Sequence, residues 1–349
     1  MANLVLRHLP AETAHGFALR GLSAGLGPRE RPDDLPILDQ SCFGLRFANP
    51  VGVSAGFDKN AVAIAGMTKL GGGFIEVGGV TPLPQAGNPR PRLFRLTPDK
   101  AAINRMGFNN DGAEIVRERV SDHLAREPAS LPLGINMAAN AASPDPAQDF
   151  IDLITCFGPV ADYLTIDVSC PNTENGQVFL EPTALENLLA RLNAARDTSG
   201  SRPALVAKLA PDLEDTHLTE LIEIITAAGV DAINLCNTTT KRPTSLKSRH
   251  AQERGGLSGT PLFEMSNAML RKVYRNTGGR VPLIGVGGIT SGADAYTKIC
   301  AGANLVQLYT GLVFEGPSLI QRIKHDLAEL LKRDGYANIT EAVGCEHRA

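Results

Sequence analysis

Eight short apolar runs, each followed by a helix-like segment, constrain the fold of this chain more than any other feature. They are VGVSAGF (51–57), FIEVGGV (74–80), LPLGINM (131–137), YLTIDVS (163–169), ALVAKLA (204–210), AINLCN (232–237), PLIGVGG (282–288) and LVQLYTG (305–311). None alternates polar with apolar residues, the pattern of strands buried on both faces of a parallel sheet. Between the runs the chain reads as helix. In the segment 291–302, Ser291 and Asp294 form a capping-box pattern and Gly302 a stop. Eight such units over about 260 residues predict an α/β fold, a (β/α)8 TIM barrel. A doubly wound open sheet is the alternative, but the G-x-G-x-x-G turn it usually carries after its first strand is missing.

Two regions stand outside this repeat. Residues 1–40 read as two short helices and a Pro/Asp-rich linker (RERPDDLP), set before a barrel domain spanning 41–349. In the second helix Ala14, Phe17, Ala18, Gly21, Leu22 and Leu26 form an apolar stripe. That stripe fits either a cap packed on the barrel or a surface that meets a membrane or an apolar substrate. Four arginines against five acids in this region give no special attraction to anionic lipid. The second region, 81–110, holds PQAGNPRPRLFRL and INRMGFNNDG and is too long for a simple loop. A long excursion after a barrel strand builds the active-site face.

Composition narrows the function classes. With 34 basic and 37 acidic residues the formal charge is -3, which gives no electrostatic case for nucleic acid. Trp is absent, which disfavours base-stacking platforms. Six cysteines, at 42, 156, 170, 236, 300 and 345, form no CxxC and no metal-like pairing, so reduced thiols in a cytoplasm are the simplest expectation, and no metal. No apolar run reaches the roughly 20 residues needed to span a bilayer.

In a barrel the chemistry gathers where strands end. The first run ends at Ala55, Gly56, Phe57, Asp58 and Lys59, the second at Gly78 and Gly79, and the third delivers Asn136. The fourth delivers Asp167, Ser169 and Cys170, the fifth Lys208, the sixth Cys236, Asn237 and Thr238. The last two end at Gly287–Gly288 and at Tyr309, Thr310 and Gly311. A lysine on a buried strand must be paired, either with a nearby acid or with an anionic ligand. Glycines at the ends of the last two strands fit a phosphate site, because backbone N–H groups can approach without a Cβ in the way. Phosphate plus a central lysine points to a mononucleotide cofactor, most simply FMN, with Lys208 placed to act on the flavin ring. Asn104, Asn109, Asn136, Asn172 and Asn237 supply paired donors and acceptors that suit a small planar amide, although Asn also favours turns. Cys170, in TIDVSCPNTENG, is either a reacting thiol or a core cysteine before a turn.

These residues carry a resemblance. AGFDKN, INRMGFNNDG, SCPNT, VAKLAPD, CNTTT, GGLSG, IGVGGI and LVQLYTGLVFEGP, in this order, resemble dihydroorotate dehydrogenases. With PAETAHGFALRGL they look like the membrane-associated, quinone-linked class 2 enzymes, over nearly the whole chain. The resemblance implies FMN contacts at Ala55, Gly56, Lys59, Gly79, Asn136, Asp167, Lys208, Cys236, Ser258, Gly259, Gly288, Tyr309 and Thr310. It implies pyrimidine contacts at Lys59, Asn104, Met106, Gly107, Phe108, Asn172, Asn237 and Thr238. Cys170 falls on the base that removes the C5 proton while hydride leaves C6, and His15 and Arg95 fall near the quinone tunnel. Dihydroorotate, a quinone and a membrane surface are the implied partners. The implied location is peripheral, on the cytoplasmic side of the inner membrane.

The sequence also departs from that pattern. Class 2 enzymes carry serine as the base, asparagine where Asp167 stands, and usually threonine where Gly79 and Cys236 stand. MAANAAS lacks the usual lysine, and TENGQVFLEP replaces the usual loop after the base. Two alternatives therefore stay open beside dihydroorotate oxidation. One is an FMN oxidoreductase of the same frame acting on another cyclic amide or enone, and the other is a catalytically silent flavin-binding barrel.

Overall fold

The computed structural model describes residues 8–127, 131–169, 174–198 and 200–348. Its strands, in chain order, are β1 (Gln40–Cys42), β2 (Leu45–Phe47), β3 (Val51–Val53), β4 (Phe74–Val80), β5 (Leu93–Leu96), β6 (Ala101–Asn104) and β7 (Leu133–Met137). They continue as β8 (Tyr163–Asp167), β9 (Ala204–Leu209), β10 (Ala232–Leu235), β11 (Gly256–Gly259), β12 (Leu283–Val286) and β13 (Leu305–Leu308). Strands β3, β4, β7, β8, β9, β10, β12 and β13 pair in parallel, and β13 closes on β3 through Val306 opposite Val51. The predicted barrel is the observed one, with each of the eight apolar runs supplying one stave.

Seven of the eight staves are shorter than their runs, and β4 alone spans its whole run, Phe74–Val80. The last residues of several runs leave the ladder: Ser54–Phe57, Gly287–Gly288 and Tyr309–Gly311 lie beyond their strands. Gly287 and Gly288 adopt φ of +104° and +78°, outside extended backbone, which ends the ladder and turns the chain across the barrel mouth.

The lower end of the barrel is filled by aromatic rings. Phe47 from the β1–β2 hairpin meets Phe74 edge-on at 5.4 Å, and Tyr163 lies beside Phe74. Room for these rings comes from two glycines. A Cβ on Gly52 would stand 2.5 Å from Phe74, and one on Gly134 would stand 2.1 Å from Tyr163. The hairpin thereby plugs the bottom, and the open end of the barrel is the one where the strands terminate.

Region 81–110 does build onto that open end. β5 and β6 form a hairpin, and β11 joins β6 to make a three-stranded antiparallel sheet over the mouth. The predicted helix in 291–302 is observed as Gly292–Cys300, and its cap is half the expected box. Ser291 Oγ accepts from Asp294 N, but the Asp294 carboxylate accepts from Thr290 instead of turning back to residue 291.

Before the barrel the described residues form one α-helix, α1 (Ala11–Ser23), and a single 3-10 turn at Pro36–Leu38; the sequence reads as two helices here, and residues 1–7 lie outside the described set. Leu26, assigned above to the helical stripe, lies beyond its end. Gly25 takes φ +75°, and Gly25 N and Leu26 N donate back to the Leu22 and Gly21 carbonyls, closing the helix. Ala14 and Leu22 face inward, whereas Phe17 is 49% and Leu26 80% exposed. The helix is fastened at its start by Glu12, which accepts from Arg92 Nη2 at 2.8 Å and from Arg90 Nη2 at 3.1 Å.

Candidate active site

The strand ends enclose a cavity of about 750 Å³ that runs from α1 to the centre of the barrel. At its inner end two charged side chains sit on neighbouring staves. Asp167 closes β8 and pairs in register with Lys208 of β9. Asp167 Oδ2 lies 3.9 Å from Lys208 Nζ, with the side chains 5% and 8% exposed. The Asn237 amide turns its Nδ2 to that carboxylate, at 3.1 Å from Oδ1 and 3.3 Å from Oδ2, while its Oδ1 accepts from Thr238 N at 2.8 Å. Burial pushes the Asp167 carboxyl up, opposed by Lys208, by the Ser169 N–H and by Asn237. Lys208 thus meets the acid the sequence allows, and it also lines the cavity.

Beneath this floor lies a polar layer of which the sequence singles out only Asn136. Glu76, fully buried on β4, accepts from Asn136 Nδ2 at 3.1 Å, Tyr163 OH at 3.2 Å and Gln307 Nε2 at 2.7 Å. Gln307 in turn accepts from Asn234 Nδ2 at 2.9 Å. Five staves are tied together by these side chains, and the orientation of Asn136 is set by them. With Nδ2 turned to Glu76, its Oδ1 is left on the side of Gly79, and both residues line the cavity. The available signal was a lone acid inside FIEVGGV, a run otherwise buried on both faces.

Lys59 is presented by a turn built on its neighbour. Asp58 accepts from the backbone N–H of Asn60, Val62 and Ala63. Lys59 Nζ donates to Gly56 O at 2.8 Å. Burial, and then the nearby Arg92 guanidinium, brings its ammonium down to about 8. No ion pair of Lys59 with an acid is found among the described residues, so the pairing alternative is met for Lys208 and not for Lys59. Across the cavity, Phe108 sits at φ +50°, and a Cβ on Gly79 would come within 2.7 Å of its ring. Glycine at 79 is therefore what this placement of Phe108 requires.

Three further walls complete the cavity. Ser258 and Thr310 share a hydrogen bond of 2.8 Å between hydroxyls, beside the bare backbone of Gly259, Gly287 and Gly288. Cys236 lines the inner wall, its thiol raised to about 12 by burial. Near α1, His15 packs edge-on against Phe57 at 5.4 Å and tilts toward Tyr309. Burial, and then Lys59, lowers His15 to about 4, so it is neutral at physiological pH. Arg95 reaches this end from β5, and its Nη1 donates to Leu9 O at 3.3 Å.

The cavity collects every residue named from the sequence for cofactor, substrate or quinone that lies within the described set. From Ala55, Gly56, Lys59 and Met106 to Gly107, Tyr309 and Thr310, all line its wall. Asn109, weighed as a carboxamide of the site, is not among the lining residues. Cys170 and Asn172 lie outside the described residues. The wall also holds residues the sequence did not single out, chiefly Gln307, Leu262 and Ile289.

These features suit an anionic, partly polar cofactor. Lys208 is a buried ammonium whose three N–H groups find no hydrogen-bond acceptor among the described residues. Thr238 Oγ1 is buried on the same wall and has no hydrogen-bond partner among the described residues. The glycines opposite leave their backbone open to a phosphate.

Fold and cavity together define a (β/α)8-barrel protein with a small-molecule site at the C-terminal face of its strands. Comparison with known proteins narrows this. The family model described as dihydroorotate dehydrogenase matches residues 37–331. Dihydroorotate dehydrogenase (quinone) of Rhodospirillum rubrum is 49% identical over 97% of this chain and 92% of that protein. The mitochondrial dihydroorotate dehydrogenase (quinone) of Mus musculus is 44% identical over 98% and 88%. The ligand-free crystal structure of the Eimeria tenella enzyme superposes with a TM-score of 0.93 at 36% identity, covering 97% of this chain and all of that one. The same enzyme in complex with ferulenol gives 0.92. The chain belongs to the dihydroorotate dehydrogenase family, in its quinone-dependent class 2 branch.

Proposed function

We propose that this chain oxidises dihydroorotate to orotate on FMN and passes the electrons to a quinone. The observation that carries the reading is one continuous cavity with two chemically different ends. A buried lysine, paired with Asp167 and facing the cavity, lies at the inner end, and an apolar vestibule around His15, Phe57 and Tyr309 lies under α1 at the outer end.

Bound FMN supplies the acceptor for the hydride that leaves C6 of the substrate. Ser258, Gly259, Gly288 and Thr310 would hold its phosphate, and Ala55, Gly56, Gly79, Asn136, Asp167, Lys208, Cys236 and Tyr309 would line its ring and ribityl chain. Lys59 would hold the substrate carboxylate, with Asn104, Asn172, Asn237 and Thr238 on its amide edges and Met106, Gly107 and Phe108 closing over it. Asn237 is already fixed by its bonds to Asp167 and Thr238, so it lies ready for a ligand. Cys170 would take the C5 proton as the hydride departs. A free thiol, with a pKa near 8.5, is a few per cent thiolate at neutral pH, whereas a serine hydroxyl depends far more on its surroundings.

Residues 1–40 would form the quinone-access segment and 41–349 the flavin barrel, with His15 and Arg95 at the quinone. Among the described residues no helix is long and apolar enough to cross a membrane. Exposed Phe17 and Leu26 would instead rest at its surface, on the cytoplasmic side of the inner membrane.

Anaerobic addition of dihydroorotate to the purified yellow protein is expected to bleach the flavin band rapidly. Bleaching by dithionite but not by dihydroorotate would show that the frame kept its cofactor and takes another substrate. Removing residues 1–26 tests the other end. It leaves the Asp34–Lys324 ion pair and buried Leu38 on the barrel. Dye-linked turnover should survive this truncation while quinone-linked turnover falls at least tenfold; equal loss of both would contradict the access role.

A further inference from the structure

We propose that Asp167 is a positioning and potential-setting residue: its carboxylate offsets the charge of Lys208 and locks the Asn237 amide, which lowers the reduction potential of the bound flavin and restrains affinity for an anionic product. The inference rests on the cofactor reading above and adds a residue role to it.

Lys208 has one charged partner among the described residues, and that partner is Asp167 at 3.9 Å on the adjoining stave. Both side chains are almost wholly buried, so water does little to screen them. A lone ammonium at the cavity floor would favour any bound species that gains negative charge. Beside a carboxylate the same ammonium is half of a dipole, and its pull on a third group falls off faster with distance. Two-electron reduction adds negative charge to a flavin, and orotate is itself an anion. Each is therefore held less strongly than Lys208 alone would hold it.

The same carboxylate fixes geometry. Asn237 Nδ2 donates to both oxygens of Asp167, and Asn237 Oδ1 accepts from Thr238 N. Both ends of the amide are assigned by these partners, so a flip would set N–H against N–H.

The decisive variants are Asp167→Asn, which keeps size and one acceptor while removing the charge, and Asp167→Ala, which removes both. Each is purified with its flavin and titrated with dithionite and mediators, so no substrate is needed. Both should shift the two-electron reduction equilibrium toward the reduced flavin by about tenfold, roughly 30 mV upward. Orotate, followed by its perturbation of the flavin spectrum, should bind more tightly to Asp167→Asn by a similar factor. An unmoved or lowered potential in the alanine variant would overturn the proposal. A shift in alanine alone would overturn it too, since geometry and not charge would then be responsible. A wild-type protein without flavin absorbance would instead refute the cofactor reading, and this inference with it.

Discussion

Replacing Cys170 with alanine is expected to slow reduction of the bound flavin by dihydroorotate by about 10²- to 10⁴-fold, the contribution of a positioned general base. FMN should stay bound, because all of the walls assigned to it except Asp167 are formed by other strand ends. The reason for the large effect is the coupling of the two bond breakings. Loss of hydride from C6 leaves a carbon framework that becomes orotate only when the C5 proton also departs, and a methyl side chain cannot accept it. Stopped-flow bleaching under anaerobic conditions reads this step directly, and dithionite reduction of the same sample controls for an intact site. Cys170→Ser makes the test sharper. If the thiol is the base, serine should restore part of the rate, with the rate still climbing at pH values where the wild type has levelled off, since a hydroxyl ionises far above a thiol. An unchanged rate in Cys170→Ala would remove this residue from the reaction and leave a neighbouring group or water as the proton acceptor.

The sequence carries part of this fold and site and leaves the rest to the folded chain. The eight staves were legible because burial on both faces leaves unbroken apolar runs, and a parallel barrel is the one closed arrangement that eight such runs with intervening helices predict. The site residues were legible for a related reason. Lys208 and Asp167 are charged residues at the ends of apolar runs, and a barrel places every such end at one face. What pairs with what was not legible. That Asp167 lies across from Lys208, and that Asn237 reaches back to it, depends on the register between β8, β9 and β10, which no single strand encodes. The N-terminal helix was placed but its end was misjudged, since Leu26 continues the apolar period while Gly25 has already turned the chain. Glu76 escaped altogether. Within FIEVGGV one acid reads as an interruption, and only the partners arriving from β7, β8 and β13 turn it into a centre.

That centre gives the second large effect. Glu76→Ala should destabilise the folded protein by about 4 kcal/mol or more, because it strands the donors of Asn136, Tyr163 and Gln307 in a layer with no access to water, each at about 1–3 kcal/mol. Chemical unfolding of the flavin-free proteins measures it without interference from ligand binding. The isosteric variant separates folding from function. Glu76→Gln keeps one acceptor oxygen and replaces the other with an amino group. The oxygen is best left toward Tyr163 and Gln307, which supply two donors; the amino group then faces Asn136 Nδ2, donor against donor. Asn136 relieves that clash by turning its amide over, which swaps an acceptor for a donor on the cavity wall. Stability should therefore fall by only about 1–2 kcal/mol, while FMN affinity falls at least tenfold. If Glu76→Gln retains flavin as tightly as the wild type, Asn136 does not present its oxygen to the cofactor. The polar layer would then serve the barrel alone, and a loss of flavin in Glu76→Ala would have to be traced to the fold and not to the site.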